Sequence, residues 1–424
     1  MKIIQLLIFY LCLAKGVLSA QSYFPPNNGY WDTISPQQLS WCEGEISSLD
    51  SILIAANTKS ILILKGGKVA YEAYYNGFGP DSVWYWASAA KTLTASLFGI
   101  AQDEGLLSIS DKSSDYLGRP WSSLPLNKQD LIRIENQLSM TTGLDYQVTN
   151  LDCKADSCLV YRTDAGSQWY YLNATYLLLH DVLEVASGLS LNQYTAQKYF
   201  SSIGLRGLWL DDIYVSNARA MARYGLLMLN YFTWAGQSIL SDTVFIEQMK
   251  QSSQTINPAY GYLTWLNGKP NYRQSGLSSS FLGAIISAAP SDLYMAAGKN
   301  DQRIYMVPSL DIVVVRQGEA AGSSLLALSA FDNDLWTALM KVFCKPLGLE
   351  FKQTDGISFY PNPSDGILFL EGSWSEELIL VDFTGREFKV LSKNKKVDVS
   401  HPPKGMYLLI DAKYGSEKRV LLRG

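Results

Sequence analysis

Ser88 and Lys91 stand three residues apart in Trp84-Tyr-Trp-Ala-Ser88-Ala-Ala-Lys91, at the head of an apolar stretch patterned as a helix. Positions i and i+3 share a helix face, so an ammonium at 91 can reach a hydroxyl at 88. A hydroxyl attacks a carbonyl only when a base takes its proton, and a lysine serves if burial or neighbouring positive charge lowers its pKa. A helix N-terminus adds backbone N–H groups where an oxyanion would form. The chemistry on offer is acyl transfer through a covalent ester. The spacing alone is weak. Ser392-x-x-Lys395 repeats it, and a capping serine followed by a solvated lysine is the plainer reading of either.

Composition narrows the competing chemistries. Of 424 residues, 47% are apolar and 17% charged, with 11 Trp and 26 Tyr, so the chain can bury sizeable cores and is not a disordered one. Its length suggests two or three domains. Lys plus Arg number 35 against 39 Asp plus Glu, a net of -4 with no basic block, which argues against a nucleic-acid partner. There are two histidines, His180 and His401. A zinc site needs several clustered ligands, so neither a catalytic metal nor a cofactor is expected. His180 lies in the apolar pattern Tyr176-Leu-Leu-Leu-His180 and reads as a packed core histidine rather than the base of a triad.

Residues 1–20 read as a secretory signal: Lys2, the apolar run Ile3 to Ala14, then Val17-Leu-Ser-Ala20. That run is shorter than the roughly 20 residues that span a bilayer. No later segment is long and apolar enough either, so the mature chain is expected to be exported and free of membrane spans. Export leaves Cys42, Cys153, Cys158 and Cys344 in an oxidising compartment, where two disulfides are expected in one of three connectivities. Cys153 and Cys158 are near enough in sequence to close a small loop. Cys42 would then pair with Cys344, which requires the first and last helices of one domain to be neighbours.

The elements that must position Ser88 follow from patterning. Ser35-Pro36 opens a helix to about Ala56, and Ser60–Lys65 and Lys68–Tyr75 form a hairpin about Gly66-Gly67. Helices follow at 88–105, 174–187 and 216–231, then strands at 261–267, 293–298, 303–307 and 312–317, and a last helix at 323–343. This order predicts an α/β (α+β) domain over 21–350: an antiparallel sheet flanked by the terminal helices, with a helical subdomain beside it. From 351 to 424 the texture changes to short alternating strands with Thr384-Gly385 and Tyr414-Gly415 at turn positions, a small β-sandwich.

The C-terminal stretch resembles the sorting domain of the type IX secretion system. It carries Tyr360-Pro-Asn-Pro-Ser-Asp-Gly366, Val381-Asp-Phe-Thr-Gly385, Gly405-Met-Tyr-Leu and a closing basic strand. That resemblance implies an address read by secretion machinery, and a secreted or cell-surface location. The 40–345 region resembles the serine β-lactamase, penicillin-binding and esterase superfamily, nearest its class C branch. The likeness runs through the 69–77 strand, Ser88-x-x-Lys91, Gly99-Ile-Ala-x-x-Glu-Gly105, Leu138-Ser-Met-Thr-Thr-Gly143, Tyr171-Leu-Asn173, Ser216-Asn-Ala-Arg219, Gly261-Tyr-Leu-x-Trp265 and Gln302-Arg-Ile-Tyr-x-Val-Pro308.

The superfamily resemblance implies that Ser88 is acylated, that Lys91 is its base or proton relay, and that Tyr171 moves protons during acyl transfer. It also implies that Asn173 binds substrate and holds the Lys91 amine. Where the family carries Lys-Thr-Gly or His-x-Gly, this chain has Ala296-Ala297-Gly298. Gly298 still allows close approach, and the backbone N–H of Lys299 is the expected partner of that of Ser88 in an oxyanion hole. Trp265 and neighbouring aromatics are candidates to line an acyl pocket. Losing the cation at Ala296 removes a bond to a substrate carboxylate worth roughly 1.5–3 kcal/mol. Lys299 or Arg303 could substitute for it. The expected activity is thus an esterase or amidase acting on a small-molecule or peptide-like substrate. A β-lactamase or D-alanyl-D-alanine peptidase, and a catalytically inert cell-surface binding module of the same fold, remain open.

Overall fold

The computed structural model describes residues 22–27, 30–322, 328–344 and, in shorter runs, most of 358–422. The signal at 1–20 lies outside the described residues. Helix α1 (Ile46–Ala55) leads into strand β1 (Thr58–Lys65) and strand β2 (Lys68–Tyr74). Gly66 and Gly67 have φ of +59° and +81°, the two left-handed residues that a tight hairpin turn requires. Helices α2 (Ala90–Asp103), α3 (Asn173–Ser187) and α4 (Ala218–Leu229) fill the middle of the chain. Strands β3 (Trp265–Leu266), β4 (Tyr294–Gly298), β5 (Gln302–Val307) and β6 (Ile312–Gly318) then precede helix α5 (Phe331–Val342).

The six strands form one antiparallel sheet in the order β2-β1-β6-β5-β4-β3. Both of its faces are covered, which explains why Ile61–Leu64 of β1, Ile304–Val307 of β5 and Ile312–Val315 of β6 read as unbroken apolar runs rather than alternating ones. Neighbours on a strand point to opposite faces. The Ile304 side chain lies where a Cβ on Gly225 of α4 would collide with it, and the next residue, Tyr305, meets Trp336 of α5 edge-on at 5.5 Å. A disulfide between Cys42 and Cys344 ties the segment before α1 to the end of α5, and a second joins Cys153 to Cys158.

Three elements depart from the patterned expectation. The first helix starts at Ile46, not Ser35. Ser35 does accept from the Gln38 N–H at 3.2 Å, but Ser40 turns left-handed and the chain is drawn toward α5. There the Cys42 N–H donates to Val342 and Trp41 packs on Phe343. The expected 261–267 strand is paired only at 265–266, because Leu263 takes a left-handed φ of +47°. The last helix begins at Phe331; residues 323–327 lie outside the described residues.

The C-terminal region is a set of seven antiparallel strands between Ser358 and Leu422. Its own core includes Leu368, Leu380, Val397 and Leu409. The two expected turn sites, Thr384-Gly385 and Tyr414-Gly415, lie outside the described residues. Ser392 lies on the strand Glu387–Lys393, and Lys395 occupies the turn that follows, with Asn394 and Lys395 both at positive φ. The second Ser-x-x-Lys is therefore a hairpin turn and shares no helix face.

Candidate active site

The turn that carries Ser88 is held from both sides. Strand Trp84–Tyr85 pairs with Val215 and Ser216, and the Trp86 N–H donates to the Tyr214 carbonyl at 2.8 Å. The Trp86 indole is fully buried; it donates to Ser216 Oγ at 2.7 Å and meets the Tyr214 ring at 5.1 Å. Ala87 then takes φ +49°, an unfavourable conformation for a residue with a Cβ. Such strain persists only where the flanking residues over-determine it, as they do here. A single 3-10 turn, Ala87–Ala89, opens α2 and sets Ser88 one turn before Lys91.

Lys91 Nζ donates to Ser88 Oγ at 3.2 Å. The side chain is buried at 4% exposure, and its nitrogen lies 4.0 Å from the Tyr176 ring centroid and 5.2 Å from that of Tyr171. Burial lowers the amine to about 7, against the opposing influence of the Asp152 and Asp212 carboxylates. A substantial fraction of Lys91 is therefore neutral at physiological pH and free to accept a proton. Burial raises the pKa of the Tyr171 hydroxyl well above the usual range, and the neighbouring Ser88 hydroxyl offsets part of that rise. Tyr171 thus stays protonated at neutral pH.

Tyr171 is positioned by aromatic packing. Its ring stacks on Trp265 at 5.8 Å and 17° and meets Tyr260 edge-on at 6.2 Å. Trp265 is 2% exposed, so it lies behind Tyr171 and supports it. Trp86 and Trp169 are likewise core residues rather than a pocket wall. Asn173, the first residue of α3, turns its amide to Asp152, with Nδ2 donating to Oδ1 at 2.7 Å. His180 is a packed histidine: Nδ1 lies 3.0 Å from Asp212 and Nε2 3.2 Å from Thr94 Oγ1. The carboxylate only accepts, so Nδ1 carries the proton, and burial holds the ring below its usual pKa.

The C-terminal end of β4 abuts the Ser88 turn. A Cβ on Gly298 would stand 2.4 Å from the Trp86 carbonyl oxygen and 3.1 Å from the Ser88 nitrogen, so only glycine fits. Lys299 follows at once and is exposed. Ala296 is fully buried and brings no charge. The substitution of its missing cation by Arg303 is corrected by the structure. Arg303 is fully buried and pairs with Asp332 at 2.6 Å and Asp301 at 3.0 Å, while its Nη1 donates to the Gly298 carbonyl at 2.7 Å.

Ser88, Lys91, Tyr171 and Gly298 therefore converge, whereas the expected bond from Asn173 to the Lys91 amine is not formed: Asn173 Nδ2 goes to Asp152 and its Oδ1 has no partner. Asp152, Tyr176 and Asp332 had no sequence signal of their own: a lone acid beside a cysteine, a helix aromatic and an acid near the C-terminal helix carry no motif. Among the described residues there is no His, Cys, Asp and Glu group suited to a metal, and no helix long and apolar enough to cross a membrane.

Residues 54–315 match the Beta-lactamase family, and residues 358–420 match the Secretion system C-terminal sorting domain. The chain belongs to the beta-lactamase family and carries a type IX secretion C-terminal sorting domain. That domain implies engagement with secretion machinery and supports a secreted or cell-surface location. Among solved structures the chain is similar to a Bacillus anthracis protein described as a 6-aminohexanoate-dimer hydrolase. The identity is 16% and the TM-score 0.56, over 76% of this chain and 89% of that one. A Bacteroides dorei protein described as a beta-lactamase matches at 14% identity and TM-score 0.55, over 71% and 98%. A penicillin-binding protein homologue from Caulobacter crescentus matches at 13% and 0.53, over 70% and 98%. These identities speak for the fold alone. Among curated proteins none matches the chain.

Proposed function

We propose that this chain is an exported serine hydrolase that cleaves ester or amide bonds through a covalent acyl-enzyme on Ser88. The observation that carries the reading is a buried amine, lowered to about 7, at 3.2 Å from a serine hydroxyl. Neutral Lys91 takes the Ser88 proton as Oγ bonds to the carbonyl carbon. The resulting oxyanion is held by the backbone N–H groups of Ser88 and Lys299. Tyr171 passes a proton to the leaving group as the carbon–heteroatom bond breaks, which leaves an ester on Ser88. Water then attacks that ester as the Tyr171 phenolate takes its proton, and protonated Lys91 returns a proton to Ser88 Oγ as the acyl carbon–Oγ bond breaks, which regenerates all three groups.

An esterase or amidase is favoured over an enzyme of β-lactams or D-alanyl peptides. The strand position that would carry a carboxylate-gripping cation is Ala296, and Arg303 is held by Asp332 and Asp301. We place the hydrolase domain at 21–350, behind a signal at 1–20, and the sorting domain at 351–424. Exposure to a panel of p-nitrophenyl esters, amides and β-lactams, followed by intact mass and peptide mapping, tests the reading. Turnover of esters or amides with a Ser88 adduct supports it, while preferential turnover of nitrocefin assigns the site to a β-lactamase.

A further inference from the structure

The Lys91 amine is held by something other than Asn173. Among the described residues its hydrogen bond goes to Ser88 Oγ, at 3.2 Å. One turn beyond Asn173, on the same face of α3, Tyr176 turns its ring to the amine. Lys91 Nζ stands over that ring at 4.0 Å from the centroid, closer than the 5.2 Å to the Tyr171 ring. Tyr176 is itself fixed from behind. It is buried, the His180 ring meets it edge-on at 4.7 Å and 76°, and its hydroxyl lies 3.4 Å from Thr94 Oγ1. Thr94 Oγ1 also meets His180 Nε2 at 3.2 Å, and His180 Nδ1 donates to Asp212 at 3.0 Å. Burial keeps the Tyr176 phenol protonated and holds the His180 ring below its usual pKa, so both neighbours of the amine on α3 are neutral near pH 7. Asp152 and Asp212 act on Lys91 while bonding to Asn173 and His180.

We propose that Tyr176 is a positioning residue for the Ser88–Lys91 pair: its ring face directs the amine toward Ser88 and stabilises the ammonium that forms when Lys91 takes the Ser88 proton. This inference rests on the acyl-enzyme reading of Ser88. In that step the Oγ–H bond breaks, an N–H bond forms on Lys91, and Oγ bonds to the substrate carbonyl carbon. A full positive charge thus arises on a buried nitrogen, which is costly unless something nearby compensates it. A cation within about 6 Å of an aromatic centroid is attracted by the negative face of the ring, most strongly where water is excluded. The Tyr176 ring meets both conditions.

The test measures the rate of Ser88 labelling by a fluorophosphonate against pH, beside the melting temperature, in the full-length protein and in Tyr176 variants. Tyr176→Phe keeps the ring face and should label within about twofold of the native rate with the native pH midpoint. Tyr176→Leu keeps apolar bulk without the face, and its plateau rate should fall about tenfold or more. Its midpoint should also move down by about one pH unit, because the ammonium form of Lys91 loses its support and the neutral form persists to lower pH. Increasingly fluorinated phenylalanines at 176 keep the ring's shape while draining its negative face, so they should lower the midpoint step by step. That series decides the matter even if the leucine variant does not fold. A Tyr176→Leu midpoint that stays or rises, a midpoint constant across the fluorinated series, or a Tyr176→Phe that behaves like Tyr176→Leu each overturns the proposal. A native Ser88 that no acylating reagent modifies overturns the acyl-enzyme reading itself.

Discussion

Arg303 donates through Nη1 to the carbonyl oxygen of Gly298 at 2.7 Å, so a fully buried ion pair fixes the strand end that touches the Ser88 turn. The Arg303 guanidinium is held in turn by both oxygens of Asp332, at 2.6 and 2.9 Å, and the Tyr305 hydroxyl donates to the same carboxylate. The peptide that would supply the Lys299 N–H is thereby fixed before any substrate arrives.

Removing Asp332 leaves Arg303 charged, buried and without its main partner. Asp332→Ala should lower stability by about 3–5 kcal/mol, the usual effect of breaking a buried pair from one side. Thermal melting measures this. An unchanged melting temperature would show that the pair does not hold the strand.

Lys91 makes the opposite prediction, because its burial is unfavourable to folding. Its pKa falls from the usual 10.5 to about 7, so between those values the folded chain binds fewer protons than the unfolded one. Its contribution to stability therefore rises with pH through that window, and below about 7 the full penalty applies. Lys91→Met should raise the melting temperature near pH 6 and flatten the rise between pH 7 and 10. Each pKa unit corresponds to about 1.4 kcal/mol. The same variant should lose activity, and kcat/KM of the native protein should climb as pH passes about 7 and the amine becomes neutral. Melts and pH–rate profiles of both proteins check the pair of effects.

The parts of this arrangement that were legible in the sequence are those with a local signature. Gly66-Gly67 announces its hairpin, the strand texture at 303–307 and 312–317 announces buried strands, and Ser88-x-x-Lys91 announces a hydroxyl and an amine on one helix face. The start of the first helix is not legible, because it depends on Cys42 and Trp41 contacting α5, some 300 residues away. Arg303 looked available for substrate because sequence cannot show that Asp332 lies 2.6 Å from it. Asp152 and Tyr176 were silent for the same reason. Their importance is a matter of which side chains the fold brings to Lys91.

Gly298 is a sharper test of the strand end. Alanine there would put a methyl group 2.4 Å from the Trp86 carbonyl oxygen and 3.1 Å from the Ser88 nitrogen. Gly298→Ala should slow Ser88 acylation by about a hundredfold or more, the scale of a displaced oxyanion donor. The rate of probe labelling, read beside the melting temperature, separates this from unfolding. A labelling rate close to the native one would place the oxyanion elsewhere.

The central claim is that Ser88 becomes acylated because Lys91 takes its proton. The most direct measurement is intact-mass analysis of the protein, and of Ser88→Ala and Lys91→Ala, after incubation with a fluorophosphonate. A single adduct that maps to Ser88, is absent from Ser88→Ala, and forms at least tenfold more slowly in Lys91→Ala is the predicted result. A tenfold change is about 1.4 kcal/mol of barrier. Equal labelling of the native protein and Ser88→Ala, or a Lys91→Ala rate within tenfold of native, would contradict the account.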